Sequence, residues 1–160
     1  MTVAEFEDVY RRCAPLVHSR ARRMLGGEAD DVVQEVFTRL WRRPPAHGEL
    51  LPWLYRASTN ACLDRLRAQQ RRDPAWESQV SVAQGGEAKS VEDELSSKDL
   101  CRRLIVRADD DTREVVALVY FDGATHEDAA DILGISRKTV GERLERFHAL
   151  ARKVIGRWQT

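Results

Sequence analysis

Hydrophobic residues recur every three or four positions along most of this 160-residue chain, which is the period of an amphipathic α-helix. The widest stripe, within residues 29–41, is predicted to be buried and comprises Val32, Val33, Val36, Phe37, Leu40 and Trp41. A helix that begins near Pro52 buries Leu54, Ala57, Ala61 and Leu66, and the last helix buries Val140, Leu144, Phe147, Ala151, Val154 and Ile155. Since no segment shows the pattern of a sheet, the sequence predicts an all-α fold.

Capping and breaking residues set the predicted ends of the helices in the first half of the chain. Thr2 and Glu5 have the spacing of a capping box, which begins the first helix. Pro15 suits the first turn of a helix, so we predict a second, short helix there that ends at Gly26. Pro44 ends the helix that carries the widest stripe.

Similar signals divide the second half. Asp111 and Glu114 are predicted to cap one helix. Thr125 begins a short helix that Gly134 ends, and Ser136 caps the long last helix.

Residues 73–90 lack any helical period, contain few apolar residues and include a Gly-Gly pair. We interpret them as a flexible linker. The prediction is therefore two small helical domains, residues 1–72 and 91–160, of which the second contains a helix-turn-helix.

Composition excludes several classes of protein. The longest purely apolar run, Val115 to Phe121, is far too short to span a membrane, and the acidic N-terminus does not resemble a signal peptide. Three widely spaced cysteines fit neither a disulfide scaffold nor a zinc site, so we expect no metal and no cofactor. The expected location is the reducing cytoplasm, without membrane insertion.

Charge is balanced overall, with 26 basic and 26 acidic residues, but it is unevenly distributed. Residues 1–72 carry a net charge of +4, and residues 134–160, with seven basic and two acidic residues, carry +5. Local positive charge of this kind suits a polyanionic partner.

Residues 125–147 have the pattern of a helix-turn-helix, with two helices joined by a short turn that contains glycine. Donors near the start of the second helix suit base edges and phosphates, and they are Arg137, Lys138, Thr139, Arg143 and Arg146. The alternative is an ordinary helical hairpin with a solvated basic face. We favour DNA binding because the charge and the turn spacing agree.

A polar stripe on the helix near Pro52 allows two readings. It comprises Trp53, Asn60, Asp64, Arg67 and Arg71, at spacings that place them on one face. An aromatic ring and guanidinium groups on one face suit single-stranded nucleic acid. Equally, Trp53 could be half-buried while the others form local pairs along the helix.

The acidic first turn of the helix at 29–41 is equally ambiguous from its residues alone. Asp30, Asp31, Gln34, Glu35 and Arg39 lie on its polar side. Acidic residues at a helix start usually offset the helix dipole, and a protein-docking surface is the sharper alternative.

Three stretches resemble bacterial RNA polymerase sigma factors. Their region two is similar to ADDVVQEVFTRLW at 29–41 and WLYRASTNACLDRLR at 53–67, and their region four is similar to HEDAADILGISRKTVGERLERF at 126–147. Two such regions with only a short linker between them resemble the small extracytoplasmic-function (ECF) group.

The resemblance implies roles for the first domain. In the family, the helix that matches 29–41 docks on the largest subunit of core RNA polymerase, which makes Asp31, Gln34 and Glu35 the expected docking residues. The next loop, residues 44–50, and helix engage the minus-ten promoter element and hold melted bases, which implicates Trp53, Asn60 and Arg67.

The resemblance also implies roles for the second domain. The last helix reads the minus-thirty-five element of promoter DNA, which implicates Arg137, Lys138, Thr139, Glu142, Arg143 and Arg146. Region four also contacts the second-largest polymerase subunit, and many members are held inactive by an anti-sigma factor. The Gly141-Glu142 pair departs from a Lys-Ser pair that is common in the family, so its base preference is open.

Three alternatives compete with a sigma factor. A stand-alone helix-turn-helix regulator leaves the pattern at 29–67 unexplained. A sigma-like adaptor without promoter activity is compatible with the sequence. An enzyme is not expected. The candidate pairs of nucleophile and base are Cys13 with His18 and Cys101 with His126, and each cysteine falls near an apolar stripe, where a buried thiol is usual.

Overall fold

The computed structural model describes residues 1–73 and 98–158, and every regular element in these two ranges is helical. The all-α prediction is therefore confirmed for the described part of the chain. The helices are α1 (Val3–Leu25), α2 (Ala29–Arg42), α3 (Leu50–Arg72), α4 (Lys98–Ile105), α5 (Asp110–Val116), α6 (His126–Leu133) and α7 (Arg137–Trp158). A π-helical turn, Ala117–Phe121, follows α5 directly.

Contacts within the chain group it into two compact units, Met1–Arg65 and Leu66–Thr160, with the division falling inside α3. The predicted linker at 73–90, except Asp73, lies outside the described residues, as do residues 91–97 at the start of the predicted second domain. The predicted domain limits, residues 1–72 and 91–160, stay a prediction.

Helix α1 begins at the predicted capping box and is longer than predicted. The Thr2 amide donates to Glu5 Oε2 at 2.7 Å, and the Glu5 amide donates to Thr2 Oγ1 at 3.2 Å. The expectation that Pro15 starts a second helix is wrong, because Pro15 lies inside one continuous helix that ends at Gly26. Pro15 cannot donate the usual bond to the carbonyl four residues earlier. The buried stripe continues on both sides of it, so packing outweighs that loss.

The first unit has its core between the apolar faces of its three helices. Five of the six stripe positions predicted on α2 are buried: Val32, Val33, Val36, Phe37 and Leu40. The prediction for Trp41 is wrong, since its side chain is 47% exposed and packs edge-on against Phe6 at a ring-centroid distance of 5.2 Å. A period of 3.6 identifies the face of a helix, but the width of the buried part depends on the neighbouring helix.

The second unit packs α7 against α5 and α6. The predicted α7 stripe is buried throughout, and the predicted caps at Thr125, Gly134 and Ser136 are all present. These caps set the start of α6 and the turn between α6 and α7, so the two helices form a helix-turn-helix. The expected capping role of Asp111 is wrong, because Asp109 caps α5 by accepting from the Thr112 amide at 2.9 Å.

The capping carboxylate of Asp109 has a pKa below its ordinary value of 3.8. Partial burial raises its pKa, but the hydrogen bonds from the Thr112 amide and hydroxyl, with the nearby charge of Arg146, outweigh that effect. A lowered pKa in the folded state means that the ionised carboxylate stabilises the fold above pH 3.8, and that this contribution is lost as the pH falls through the folded pKa.

Two substitutions at Asp109 separate capping from charge. We expect Asp109→Ala to lower the free energy of unfolding by about 1 kcal/mol at neutral pH, whereas Asp109→Asn keeps a capping oxygen and costs less. The difference between the parent and Asp109→Asn should shrink as the pH falls from about 5 to below the ordinary Asp value. Urea denaturation across this pH range measures both effects, and a pH-independent difference would contradict the proposed origin of the lowered pKa.

Candidate nucleic-acid interfaces

A basic cleft lies between the end of α2 and the first half of α3. Its lining comprises Arg39, Arg42, Arg43, Trp53, Arg56, Ala57 and Asn60. In the described structure this lining contains four guanidinium groups and no carboxylate. Two of the predicted minus-ten residues, Trp53 and Asn60, therefore face the same cleft. Arg67 is not part of its lining and lies two turns further along α3, roughly 10 Å from Asn60 along the helix.

The two faces of α3 explain how the cleft forms. Trp53, Arg56 and Asn60 are spaced three and four residues apart, so they share the face that lines the cleft. Leu54 and Ala61 lie on the other side and are buried in the core. The apolar pattern of α3 thus leaves Arg56 and Asn60 exposed, while Trp53 is half-buried, as the second interpretation of the polar stripe expects.

Sequence reasoning placed Arg39 on the polar side of α2 but assigned none of the four arginines of the cleft to nucleic-acid binding. Arg42 and Arg43 lie where α2 ends, immediately before Pro44-Pro45, and a cation at a helix C-terminus is favourable. Arg56 belongs to the same α3 face as Trp53. The basic pair before the prolines is a usable signal, but its proximity to α3 is a property of the folded chain.

Glu35, an expected docking residue, lies half-buried between two arginines. Its side chain is 29% exposed, with Oε1 at 2.5 Å from Arg39 Nη2 and Oε2 at 2.7 Å from Arg65 Nη1. The carboxylate therefore joins α2 to α3 and also holds one arginine of the cleft. The other two expected docking residues, Asp31 and Gln34, are exposed on α2.

Next to Gln34, an apolar groove runs between α1 and α2. Aromatic rings line it, with Tyr10 against Phe37 at a centroid distance of 4.8 Å. Tyr10 and Trp41 are exposed large side chains in this groove, and clustered exposed rings are typical of an interaction surface. Asp30, whose carboxylate lies 3.3 Å from His18 Nε2, also lines it.

The predicted minus-thirty-five residues at the start of α7 differ in their exposure to solvent. Arg137 and Lys138 are exposed, with the Lys138 side chain 86% accessible and its Nζ 3.9 Å from Glu142 Oε1. Thr139 is half-buried, and its hydroxyl pairs with Ser136 Oγ at 2.9 Å. The exposed set at this end is therefore Arg137, Lys138 and Glu142.

The other two predicted minus-thirty-five residues of α7, both arginines, face the acidic start of α5. Arg143 Nη2 lies 3.9 Å from Asp111 Oδ2, and Arg146 Nη1 lies 3.8 Å from Asp109 Oδ2. The Arg143 side chain is only 15% exposed, so it is less accessible to a base edge than the spacing predicts, whereas Arg146 is exposed. A Cβ added at Gly141 would meet no atom within 4 Å, so packing does not require glycine there.

Other chemistry finds little support in the described residues. They contain no group of three or more acidic, histidine or cysteine side chains able to hold a metal ion. Of the two thiols weighed for an enzyme, Cys101 is buried and Cys13 half-buried, and burial raises the pKa of both, which disfavours a thiolate nucleophile. None of the helices described is long and apolar enough to span a bilayer.

Fold and sites together define an all-helical protein with a basic cleft in its first unit and a helix-turn-helix in its second. The sequence model of sigma-70 region 2 matches residues 9–72, and that of the ECF sigma factor family matches residues 46–158. The chain therefore belongs to the ECF sigma factor family, whose members are transcription initiation factors of RNA polymerase. Membership also places it among non-enzymatic proteins.

The individual relatives are 20% to 30% identical to this chain. SigW, an ECF RNA polymerase sigma factor of Bacillus subtilis, is 28% identical over 94% of this chain and 87% of its own length. A probable RNA polymerase sigma factor of Xanthomonas campestris, RfaY, is 30% identical over 78% of this chain, which spans only 33% of RfaY. Sigma factor RpoE of Bartonella quintana, solved with the anti-sigma factor NepR, is 20% identical with a TM-score of 0.49, covering 96% of this chain and 98% of that one.

The ion pairs of Glu35 predict a stability effect that a purely surface docking residue would not have. We expect Glu35→Gln to lower the free energy of unfolding by about 1 to 2 kcal/mol, because Arg65 is mostly buried and loses its charged partner. The matched control is Asp31→Asn on the exposed face of the same helix, which should change stability by less than about 0.5 kcal/mol. Urea denaturation of both variants measures this difference, and equal stabilities would contradict the structural role of Glu35.

Proposed function

We propose that this sigma factor binds core RNA polymerase and directs it to specific promoters, using the basic cleft for the melted minus-ten element and α7 for the minus-thirty-five element. The observation that carries the proposal is the cleft, because it combines Trp53 and Asn60 with four arginines. The role is binding and strand separation, without covalent chemistry.

The cleft suits an unpaired strand better than a duplex. An unstacked base can lie against the half-buried Trp53 ring, and the Asn60 amide offers both a donor and an acceptor to a base edge. Around them, Arg42, Arg43 and Arg56 can contact successive phosphates. A duplex hides its base faces by stacking, so binding here favours the melted state. Arg67 lies along α3 from this cleft, and we assign it to the neighbouring backbone.

The exposed start of α7 suits the major groove of a duplex. Arg137 and Lys138 are accessible donors, and Glu142 can accept from a cytosine amino group. Arg146 is available for a phosphate once it leaves Asp109, and we assign Thr139 and the mostly buried Arg143 to supporting contacts. The carboxylates at the start of α5 repel DNA phosphates close to these arginines, so this unit alone should bind duplex DNA weakly.

Core polymerase supplies the coupling that two weak DNA contacts need. We assign the exposed face of α2 at Asp31 and Gln34, with Glu35 behind it, to the largest subunit, and the second unit to the second-largest subunit. Docking would convert the second DNA contact into an intramolecular step and raise the overall affinity. An anti-sigma factor that covers these surfaces in the cytoplasm would prevent that step.

The direct test is run-off transcription with core RNA polymerase from the source bacterium, with and without this protein, on the fragment upstream of its own gene. A protein-dependent transcript is the expected result, because many sigma factors of this kind activate their own promoter. Co-purification with core polymerase is measured in parallel. Tight core binding without a transcript from any fragment of the genome would favour the adaptor, and the absence of both would overturn the proposal.

The cleft predicts separate effects of its aromatic ring and its charges. We expect Trp53→Ala to weaken binding of a single-stranded minus-ten oligonucleotide by the polymerase complex about tenfold, because stacking of one base is lost. Arg56→Ala should reduce the dependence of log affinity on log salt by about 0.7, the release of one counterion. Arg12→Ala, which removes an exposed arginine paired with Asp8 on α1, is the control. Fluorescence anisotropy across a salt series measures both, and an effect of Arg12→Ala as large as either would contradict the cleft.

The start of α7 predicts a loss confined to upstream duplex. We expect Lys138→Ala to weaken binding of minus-thirty-five duplex roughly threefold to tenfold, since one exposed donor is removed, and to leave core polymerase affinity unchanged. Lys153→Ala, at the opposite end of the same helix, is the matched control. Promoter binding by the polymerase complex on mutated upstream elements provides the readout. Unchanged discrimination in Lys138→Ala would show that this residue does not read the element.

A further inference from the structure

A fully buried arginine joins α1 to α3 behind the cleft. Arg20 is 1% exposed, and its Nη1 donates to the Tyr55 carbonyl oxygen at 2.7 Å and to Ser58 Oγ at 3.2 Å. Its guanidinium carbon also lies 4.8 Å from the centre of the Tyr55 ring. Burying a guanidinium is costly, and a core often gains stability when such a group is replaced by an apolar one. Core filling therefore does not explain an arginine at this position.

The residues that Arg20 holds lie opposite the residues that line the cleft. Along a helix that turns 100° per residue, Tyr55 and Ser58 point away from Trp53, Arg56 and Asn60. All five belong to two turns of α3, so a bond to one face fixes the direction of the other. Hydrophobic contacts lack this directional character, because apolar side chains can slide and still remain buried.

We propose that Arg20 is a positioning residue for nucleic-acid binding: it sets the rotation of α3 so that Trp53, Arg56 and Asn60 face the cleft together. This inference rests on the proposed use of the cleft for unpaired DNA. Arg20 itself touches no DNA, being covered by α3. An arginine suits the task because its planar guanidinium holds Nη1 in a fixed direction, whereas the three donors of a lysine ammonium rotate on a flexible stem.

Ser58 provides a second way to weaken the same contact. Its hydroxyl accepts from Arg20 and donates to the Tyr55 carbonyl oxygen at 3.0 Å, so both groups meet at that oxygen. Ser58→Ala removes one acceptor of Arg20 and leaves the arginine in place. A graded series therefore runs from Ser58→Ala through Arg20→Lys to Arg20→Met, which is similar in length but apolar.

The test reads the environment of Trp53 and the binding of DNA in the full chain. Trp41, Trp76 and Trp158 are replaced by phenylalanine in every protein, so that Trp53 alone reports. Its emission maximum and its quenching by acrylamide are measured first without DNA, and then with an oligothymidylate of about 12 nucleotides. Urea denaturation and affinity for core polymerase are measured on the same proteins. The control is Val17→Ala, a buried change one turn away on α1 that lowers stability without removing a bond to α3.

We expect Arg20→Met to shift the Trp53 emission without DNA and to weaken oligothymidylate binding about tenfold, with Arg20→Lys and Ser58→Ala losing less. Core polymerase affinity should remain that of the parent, and Val17→Ala should keep parental emission and DNA affinity despite its lower stability. Parental emission and DNA affinity in Arg20→Met would overturn the proposal. If that variant fails to fold, the same result in both Arg20→Lys and Ser58→Ala would overturn it.

The same data separate this inference from the function of the cleft. Should the parent protein fail to bind oligothymidylate alone and the minus-ten oligonucleotide in the polymerase complex, while Arg20→Met still shifts the Trp53 emission, the cleft function would fail and the positioning role would stand. Should the parent bind and the Arg20 series leave both readouts unchanged, the positioning role alone would fail.

Discussion

Mutual repulsion among the arginines of the cleft is the electrostatic constraint on the first unit. Four guanidinium groups line one surface, where their like charges disfavour one another. Two features oppose this repulsion. The apolar stripe of the same helix, α2, is anchored in the core, with Val36 and Leu40 fully buried, and the Glu35 carboxylate lies against Arg39. Packing of the α2 stripe and the Glu35 carboxylate thus hold the cationic surface in place. The repulsion lowers the stability of the fold at a surface where binding requires charge.

In the second unit, repulsion among cations is reduced because they pair with carboxylates of the same unit. Asp109 and Asp111 lie within 4 Å of the guanidinium groups of Arg146 and Arg143, which lowers the positive potential along α7. Arg137 and Lys138, in the first turn of α7, are exposed and have no such pairing with α5. Reduced charge weakens nonspecific binding to any duplex more than it weakens contacts to particular base edges, because nonspecific binding depends mainly on phosphate neutralisation. A factor that must find few promoters among many other sites gains discrimination from this arrangement.

Helical periods and caps were predictable from the sequence, whereas contacts between distant residues were not. Thr2, Thr125 and Ser136 cap helices as predicted, since a cap depends on only three or four consecutive residues. A proline usually interrupts a helix, but α1 continues through Pro15 because buried residues on both sides hold it together. Trp53 and Asn60 share a face by spacing alone. Their meeting with Arg42 and Arg43 requires α2 to end beside α3, which no local pattern encodes.

Glu35 shows how one residue can satisfy a family pattern and serve a second purpose. The resemblance of residues 29–41 to sigma factors implies a docking role for Glu35, while its carboxylate binds Arg39 of the cleft and Arg65 of α3. A polymerase group that competed for this carboxylate would weaken its hold on Arg39 and leave that guanidinium freer to meet a phosphate. Docking and DNA binding would then share a coupling free energy, which by linkage acts equally in both directions. Because Asp31, Glu35 and Arg39 all lie on α2, this helix is the element through which such coupling would pass.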